Sequence, residues 1–276
     1  MRPTEQILDT QVVRSGPPPA APGMTVGGLL STTLSIWWKH VASFTLLSVV
    51  VYSPFAVTFG LFYGTLLTAG MQPRGADDVA SMGIAVLGVW LLTLFLAVIQ
   101  AGAVTFGTVR HLAGERAGLG PMLRVGLRRT LPVIGVAILL WLGFVLGFVL
   151  LVVPAILLAV ASCVAIPAAV VERPGVTGAI RRSFALTRGR RGTLFAAGLV
   201  ILMVVWVLAA IVQVGVTAVS ALLLPREMAM AGMMIASQLG NVFFSALPLV
   251  GIAVAYHELR QEKEGVDTAA LAKVFE

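Results

Sequence analysis

Residues 130–171 read TLPVIGVAILLWLGFVLGFVLLVVPAILLAVASCVAIPAAVV, without a single Asp, Glu, Lys or Arg. As one α-helix this stretch would run to about 63 Å at about 1.5 Å per residue, twice the roughly 30 Å hydrocarbon core of a bilayer. It therefore has to fold back on itself. Pro154 is the predicted turn, because a proline ring disrupts the helical turn before it. Four more charge-free runs flank it: Val41 to Pro73, Val79 to Val109, Thr193 to Pro225 and Met228 to His257. Each exceeds the roughly 20 apolar residues that cross a membrane as a helix, so the sequence predicts six spans.

Composition points the same way. Of 276 residues 58% are hydrophobic and only 11% charged, with a mean hydropathy of +0.98. A soluble domain carries about a quarter charged residues. Cys163 is the only cysteine, so no intrachain disulfide or cysteine metal site can form. The expected fold class is an all-α integral membrane protein.

The net charge of +7 is unevenly placed. Residues 1–40 carry Arg2, Arg14 and Lys39; residues 110–129 carry Arg110, Arg116, Arg124, Arg128 and Arg129; residues 172–191 carry Arg173, Arg181, Arg182, Arg188, Arg190 and Arg191; the tail carries Arg260, Lys263 and Lys273. The alternate loops hold only Arg74 and Arg226, a split of 17 to 2. The positive-inside rule then predicts both termini in the cytoplasm. With every basic cluster on one membrane face, anionic phospholipid is the expected partner and nucleic acid is not. Residues 1–24, with Gly16-Pro17-Pro18-Pro19, are expected to be a disordered cytoplasmic segment. Residues 25–260 form the predicted membrane domain, and 261–276 a solvated cytoplasmic tail.

Three segments ahead of predicted spans share the spacing i, i+3, i+4, i+7, i+8. They are Val26, Leu29, Leu30, Thr33, Leu34; Leu123, Gly126, Leu127, Thr130, Leu131; and Val176, Ala179, Ile180, Ser183, Phe184. Each makes one apolar stripe on a helix. Arg128-Arg129 and Arg181-Arg182 fall in register. The predicted element is a helix lying in the cytoplasmic interface, stripe toward acyl chains and arginines toward phosphate. Two readings stand for the repetition: three copies of one unit, an interfacial helix followed by a transmembrane hairpin, or chance in an apolar sequence. The arginines likewise serve topology alone or bind headgroups; the candidates for contact are Arg124, Arg128, Arg129, Arg181, Arg182, Arg188, Arg190 and Arg191.

The stretch Ile166-Pro167-Ala168-Ala169-Val170-Val171-Glu172, the helix Gly178-Ala179-Ile180-Arg181-Arg182-Ser183-Phe184-Ala185-Leu186-Thr187-Arg188-Gly189 and the exit Ala255-Tyr256-His257-Glu258-Leu259-Arg260 are similar to a known pattern. Together they resemble the membrane domain of some bacterial glycerophosphoryl diester phosphodiesterases and of related six-helix membrane proteins. The resemblance covers roughly residues 25–262. It implies a six-helix fold in a bacterial inner membrane, without phosphodiesterase activity, since the chemistry of those enzymes belongs to a separate soluble domain. Its motif positions here are Glu172, Ser183, Gly189, Tyr256, Glu258 and Arg260. Glu172 at a span exit is expected to cap a helix or pair with an arginine, and Arg188 to share a helix face with Arg181. Gly189 suits a helix stop, Tyr256 an interfacial anchor, and Glu258 a bridge to an arginine.

The charge-free runs hold no ionisable relay of the kind proton-coupled pumps place near the midplane. There is no P-loop, G-x-S-x-G or H-E-x-x-H, so no catalytic residue, cofactor or metal site is expected. His40, His111 and His257 are expected to be independent interfacial residues. Gln100, Gln213, Gln238 and Asn241 are intramembrane polar residues, whose ordinary role is to join helices by hydrogen bonds. Pro54, Pro167 and Pro248 are expected to interrupt their spans. The sequence thus points to a non-enzymatic membrane scaffold or accessory subunit contacting anionic lipid. A transporter for a lipid or uncharged solute is the alternative.

Overall fold

The computed structural model describes residues 24–69, 76–150, 152–223, 238 and 240–265. Every regular element among them is a helix. In chain order they are α1 (Val26–Lys39), α2 (Val41–Ala69), α3 (Ala76–Leu112), α4 (Leu119–Arg128), α5 (Thr130–Leu150), α6 (Val152–Ser162), α7 (Ala165–Val171), α8 (Val176–Thr187), α9 (Arg191–Leu223) and α10 (Ala246–Glu264). Six helices or helix pairs are long and apolar enough to cross a membrane, with α6 and α7 joined as one span. The fold is an all-α membrane bundle.

A short helix followed by a hairpin of spans occurs three times. α1 leads into α2 and α3, α4 into α5 and α6–α7, and α8 into α9 and α10. The junctions are sharp: His40, Arg129 and the Arg188-Gly189-Arg190 turn separate each short helix from its outgoing span. At the last, α8 stops at Thr187 and Gly189 takes φ +87°, a left-handed conformation that glycine adopts without strain. Arg188 is extended there, so it leaves the helix and does not share a face with Arg181.

The short helices close the units into a ring. Each packs on the returning span of the preceding unit: α4 on α3, α8 on α7 and α6, and α1 on α10. The stripe predicted to face lipid divides into two rows. Leu29 and Thr33, Gly126 and Thr130, Ala179 and Ser183 are all buried. Leu30 and Leu34, Leu127 and Leu131, Ile180 and Phe184 stay partly or largely exposed. The expectation that the whole stripe faces acyl chains is thus corrected: its inner row packs on protein, because small residues there let two helix backbones approach. A Cβ on Gly126 would lie 2.6 Å from the Ile99 carbonyl oxygen and 3.1 Å from the Ala103 Cβ. On the other two helices Thr33 lies against Gly251, and Ser183 Oγ donates to the Ala161 carbonyl at 2.9 Å.

Burial concentrates at the end of the bundle where the short helices lie. The main core joins Leu29, Trp37, Phe44, Val104, Val109, Leu186, Val254 and Tyr256, drawn from α1, α2, α3, α8 and α10. Toward the other end α5 and α9 present Trp141, Phe148, Trp206 and Val214 outward. Large apolar side chains pointing away from the bundle suit hydrocarbon surroundings.

Three further expectations change. Pro154 is not itself the turn: it lies in the first turn of α6, which begins at Val152, where no helical hydrogen bond needs its missing N–H. Pro167 and Pro248 likewise occupy the first turns of α7 and α10, each after a break a few residues earlier, while Pro54 lies inside α2. The tail also begins later than expected, since α10 continues through Gln261 to Glu264 and ends at Gly265 with φ +61°. The Pro-rich residues 1–23 and the tail from 266 lie outside the described residues.

Overpacking a tight crossing typically costs 1–3 kcal/mol. Gly126→Val is therefore expected to lower stability by about 2 kcal/mol, read as a lower thermal midpoint in detergent. Gly192→Ala, where an added Cβ meets nothing within 4 Å, serves as the silent control.

Candidate functional site

Glu172 ends the fourth span, and two elements converge on it. From α8, Arg182 Nε donates to Glu172 Oε2 at 2.7 Å; from α10, Tyr256 Oη donates to Glu172 Oε1 at 2.7 Å. Arg260 Nη1 donates to Tyr256 Oη at 3.2 Å and Arg260 Nε to Glu264 Oε2 at 3.0 Å. Arg182 also pairs with Glu264, closing a loop of five side chains. Only 17% of the Glu172 side chain and 25% of the Arg182 side chain are exposed. Burial disfavours the charge on Arg182, but the hydrogen bonds and charges of Glu172 and Glu264 outweigh it and raise its pKa.

A second contact set ties the same helices. Arg190 Nε donates to Glu262 Oε1 at 2.8 Å. Lys263 Nζ donates to the Ala185 carbonyl at 2.6 Å and the Arg188 carbonyl at 2.8 Å, satisfying acceptors at the C-terminal end of α8. Thr187 Oγ1 donates to the Ala161 carbonyl at 3.1 Å beside Ser183.

These contacts alter several expectations. Tyr256 is fully buried and anchors to a carboxylate, not to the lipid interface. Arg182 and Arg190 are held in ion pairs with carboxylates of the protein itself. The bridges are made by Glu172, Glu262 and Glu264, whereas Glu258 lies one turn before Glu262. Reading 261–276 as tail hid Glu262, Lys263 and Glu264. The i,i+4 spacing of Arg260 and Glu264 was a signal for helix continuation there.

The remaining arginines differ in surroundings. Arg124, Arg128, Arg181 and Arg188 are exposed. Arg129, in register with Arg182, pairs with no carboxylate among the described residues: burial, then Arg173, then Arg128 lower its pKa. Arg191 lies over the Phe184 ring at 5.8 Å, and its Nε is buried without a hydrogen-bond partner among the described residues.

Within the bundle, Gln100 is buried on α3. Its Nε2 donates to Ser48 Oγ and to Ser245 Oγ, both at 2.8 Å, joining the first unit to the third. Gln213 and Gln238 are half-buried and Asn241 is exposed. Two histidines expected to be independent meet instead. His40 and His111 stack with centroids 3.5 Å apart and planes 7° apart, with Phe44 edge-on to His111. His111 Nδ1 lies 3.1 Å from the Glu115 carbonyl. His257 is buried on α10. The sequence carries no signal for the stacked pair, which forms only when the α1–α2 turn meets the end of α3.

One crevice, of about 400 Å³, lies between the second and third units. Its walls are apolar, from Phe144, Ile156, Ala159, Leu194, Gly198 and Leu202, with Pro248, Gly251 and Ala255 of α10 at the back.

Comparison with protein families, curated proteins and solved structures finds no match to the chain.

Hydrogen bonds to charged groups contribute about 1.5–3 kcal/mol, and neutral ones about 1. Glu172→Gln is expected to cost about 2 kcal/mol and Tyr256→Phe about 1, measured by denaturation in micelles. Non-additivity of Glu172→Gln with Arg182→Gln in a double-mutant cycle would register their coupling. Burial, Lys39 and Arg116 lower the pKa of His40, so the folded protein takes up its proton less readily than the unfolded chain. Stability is therefore fully present above the unfolded value of about 6.5 and declines as pH falls below it. The thermal midpoint of the parent is expected to drop further between pH 7 and pH 5.5 than that of His40→Gln.

Proposed function

We propose that this protein is a non-enzymatic scaffold or accessory subunit of the bacterial inner membrane. Both termini face the cytoplasm, and the basic end of the bundle holds anionic phospholipid. The observation that carries the reading is the contrast between two registered arginines. Arg182 is neutralised by Glu172 and Glu264, whereas Arg129 lies among Arg128 and Arg173 with its charge disfavoured. Positive charge crowded at a headgroup-facing rim is relieved by an anion from outside the protein, and phospholipid is the anion a membrane supplies there. Exposed Arg124, Arg128, Arg181 and Arg188 extend the same rim.

Two further observations favour a scaffold over a solute carrier. Gln100, the deeply buried amide, is engaged with Ser48 and Ser245. The crevice is walled by apolar side chains, which offer a polar solute nothing to bind. The resemblance to phosphodiesterase membrane domains is consistent with this reading, since the shared positions Glu172, Tyr256 and Arg260 meet at a structural joint and Ser183 lies buried beside it. The crevice does favour a second reading, movement of a lipid, because it lies among spans and accepts hydrocarbon.

Reporter fusions check the orientation: a C-terminal alkaline phosphatase is expected to be inactive and a C-terminal green fluorescent protein bright. Active phosphatase at either terminus would overturn it. Replacing Arg124, Arg128 and Arg129 with Gln is expected to lower the enrichment of phosphatidylglycerol in the co-purified lipid shell several-fold, at about 1 kcal/mol per basic residue. An unchanged shell would remove the lipid reading.

A further inference from the structure

The ring has three seams between units, and they are not alike. Between the third and first units, Gln100 bridges Ser48 and Ser245, and Trp37 packs on Phe243 and Phe244 at 5.4 and 6.2 Å. Between the first and second, Val98, Val133 and Val170 interlock and Gly102 meets Gly126. Among the described residues, the hydrogen bonds that close the seam between the second and third units lie at the basic end, with Ser183 on Ala161 and Arg182 on Glu172. Deeper in, it opens into the apolar crevice.

The shape of that opening indicates its occupant. Phe144, Phe195, Leu199 and Leu202 in its wall are 44–55% exposed, so it faces sideways toward the surroundings of the bundle. On α9 its lining runs from Leu194 to Leu202, about 12 Å at about 1.5 Å per residue, against roughly 15 Å for one leaflet of hydrocarbon. Arg191 stands one turn above, on the same face as Leu194, Phe195 and Gly198 by the i, i+3, i+4, i+7 spacing. It forms no ion pair among the described residues, in contrast to neighbouring Arg190, which is held by Glu262. Its position at the start of α9 adds the favourable end of the helix dipole for an anion.

We propose that this open seam binds one anionic phospholipid, with an acyl chain in the crevice and the phosphate against Arg191. The assignment rests on the lipid-binding reading above and narrows it to one site. A bound lipid completes the third seam with hydrocarbon where the other two are completed by side chains. The phosphate would give the Arg191 guanidinium a counter-charge.

Gly198 provides the test, because a Cβ built there meets nothing within 4 Å and a larger side chain enters the crevice without a backbone clash. The full-length protein is reconstituted in bilayers of phosphatidylglycerol and phosphatidylcholine and released for native mass spectrometry. The parent is expected to retain one phosphatidylglycerol. Gly198→Phe, and Ala159→Phe from the opposite wall, are expected to reduce retention at least about fivefold. Arg191→Gln should keep a lipid but lose about fivefold of the preference for phosphatidylglycerol, the equivalent of one basic residue at the surface. Retention unchanged in whichever of the two crevice variants elutes as a folded monodisperse species, or an unchanged preference in Arg191→Gln, would overturn the site. The two readings fail separately. A shell without phosphatidylglycerol enrichment around a protein that keeps its single lipid sinks the broader reading and supports this one. An enriched shell with intact retention in the crevice variants does the reverse.

Discussion

Close approach between each short helix and the span that precedes it holds this structure together. In hydrocarbon there is no hydrophobic drive to bring apolar helices together, so association depends on van der Waals packing and on hydrogen bonds that small side chains make accessible. On the inner rows of the three short helices, Gly126 against Ile99 and Ala103 and Thr33 against Gly251 supply the close packing, and Ser183 against Ala161 adds a hydrogen bond. Because each short helix reaches backward by one unit, and α1 reaches α10, the arrangement closes as a ring. Closure explains why α10, the last of the described helices, belongs to the most buried span, while α5 and α9 face outward along most of their length.

Two polar groups join elements at places this packing brings together. Glu172 accepts from Arg182 and Tyr256, so the carboxylate at the end of one span bonds a short helix and the last span together. Buried charge left unpaired is costly, while a pair with its remaining hydrogen bonds made is tolerated and favours one arrangement of helices. Gln100 acts similarly at depth, where its amide has both donors engaged by hydroxyls from two other spans. These residues resemble a site in their convergence. Their chemistry is that of a joint, with acceptors and donors matched to one another.

What the protein presents outward is therefore the unmatched remainder: arginines of the rim and the open seam. In one unit carboxylates pair with Arg182; among the described residues none pairs with Arg129, which lies near Arg173 and Arg128. In the proposed reading, a membrane surface rich in anionic lipid supplies the missing counter-charge. Both outward features thus point to the same class of partner, reached from electrostatics in one case and from cavity shape in the other.

Six spans were legible in the sequence because apolar runs free of charge have no alternative to lipid or a buried core, and run length sets their number. The basic face was legible for the same reason, since charge cannot be hidden between such runs. The threefold stripe could also be read, but not which of its rows would face protein, because Leu29 and Leu30 look alike until a neighbouring helix arrives. Gln100 was recognisable as a joining residue and its partners were not, since Ser48 and Ser245 are 52 and 145 positions away. Tertiary structure alone decided that Arg182 is neutralised and Arg129 is not, that His40 meets His111, and that one seam stays open. Each depends on distances between segments remote in the chain, and periodicity within one helix carries no information about which other helix will lie against it.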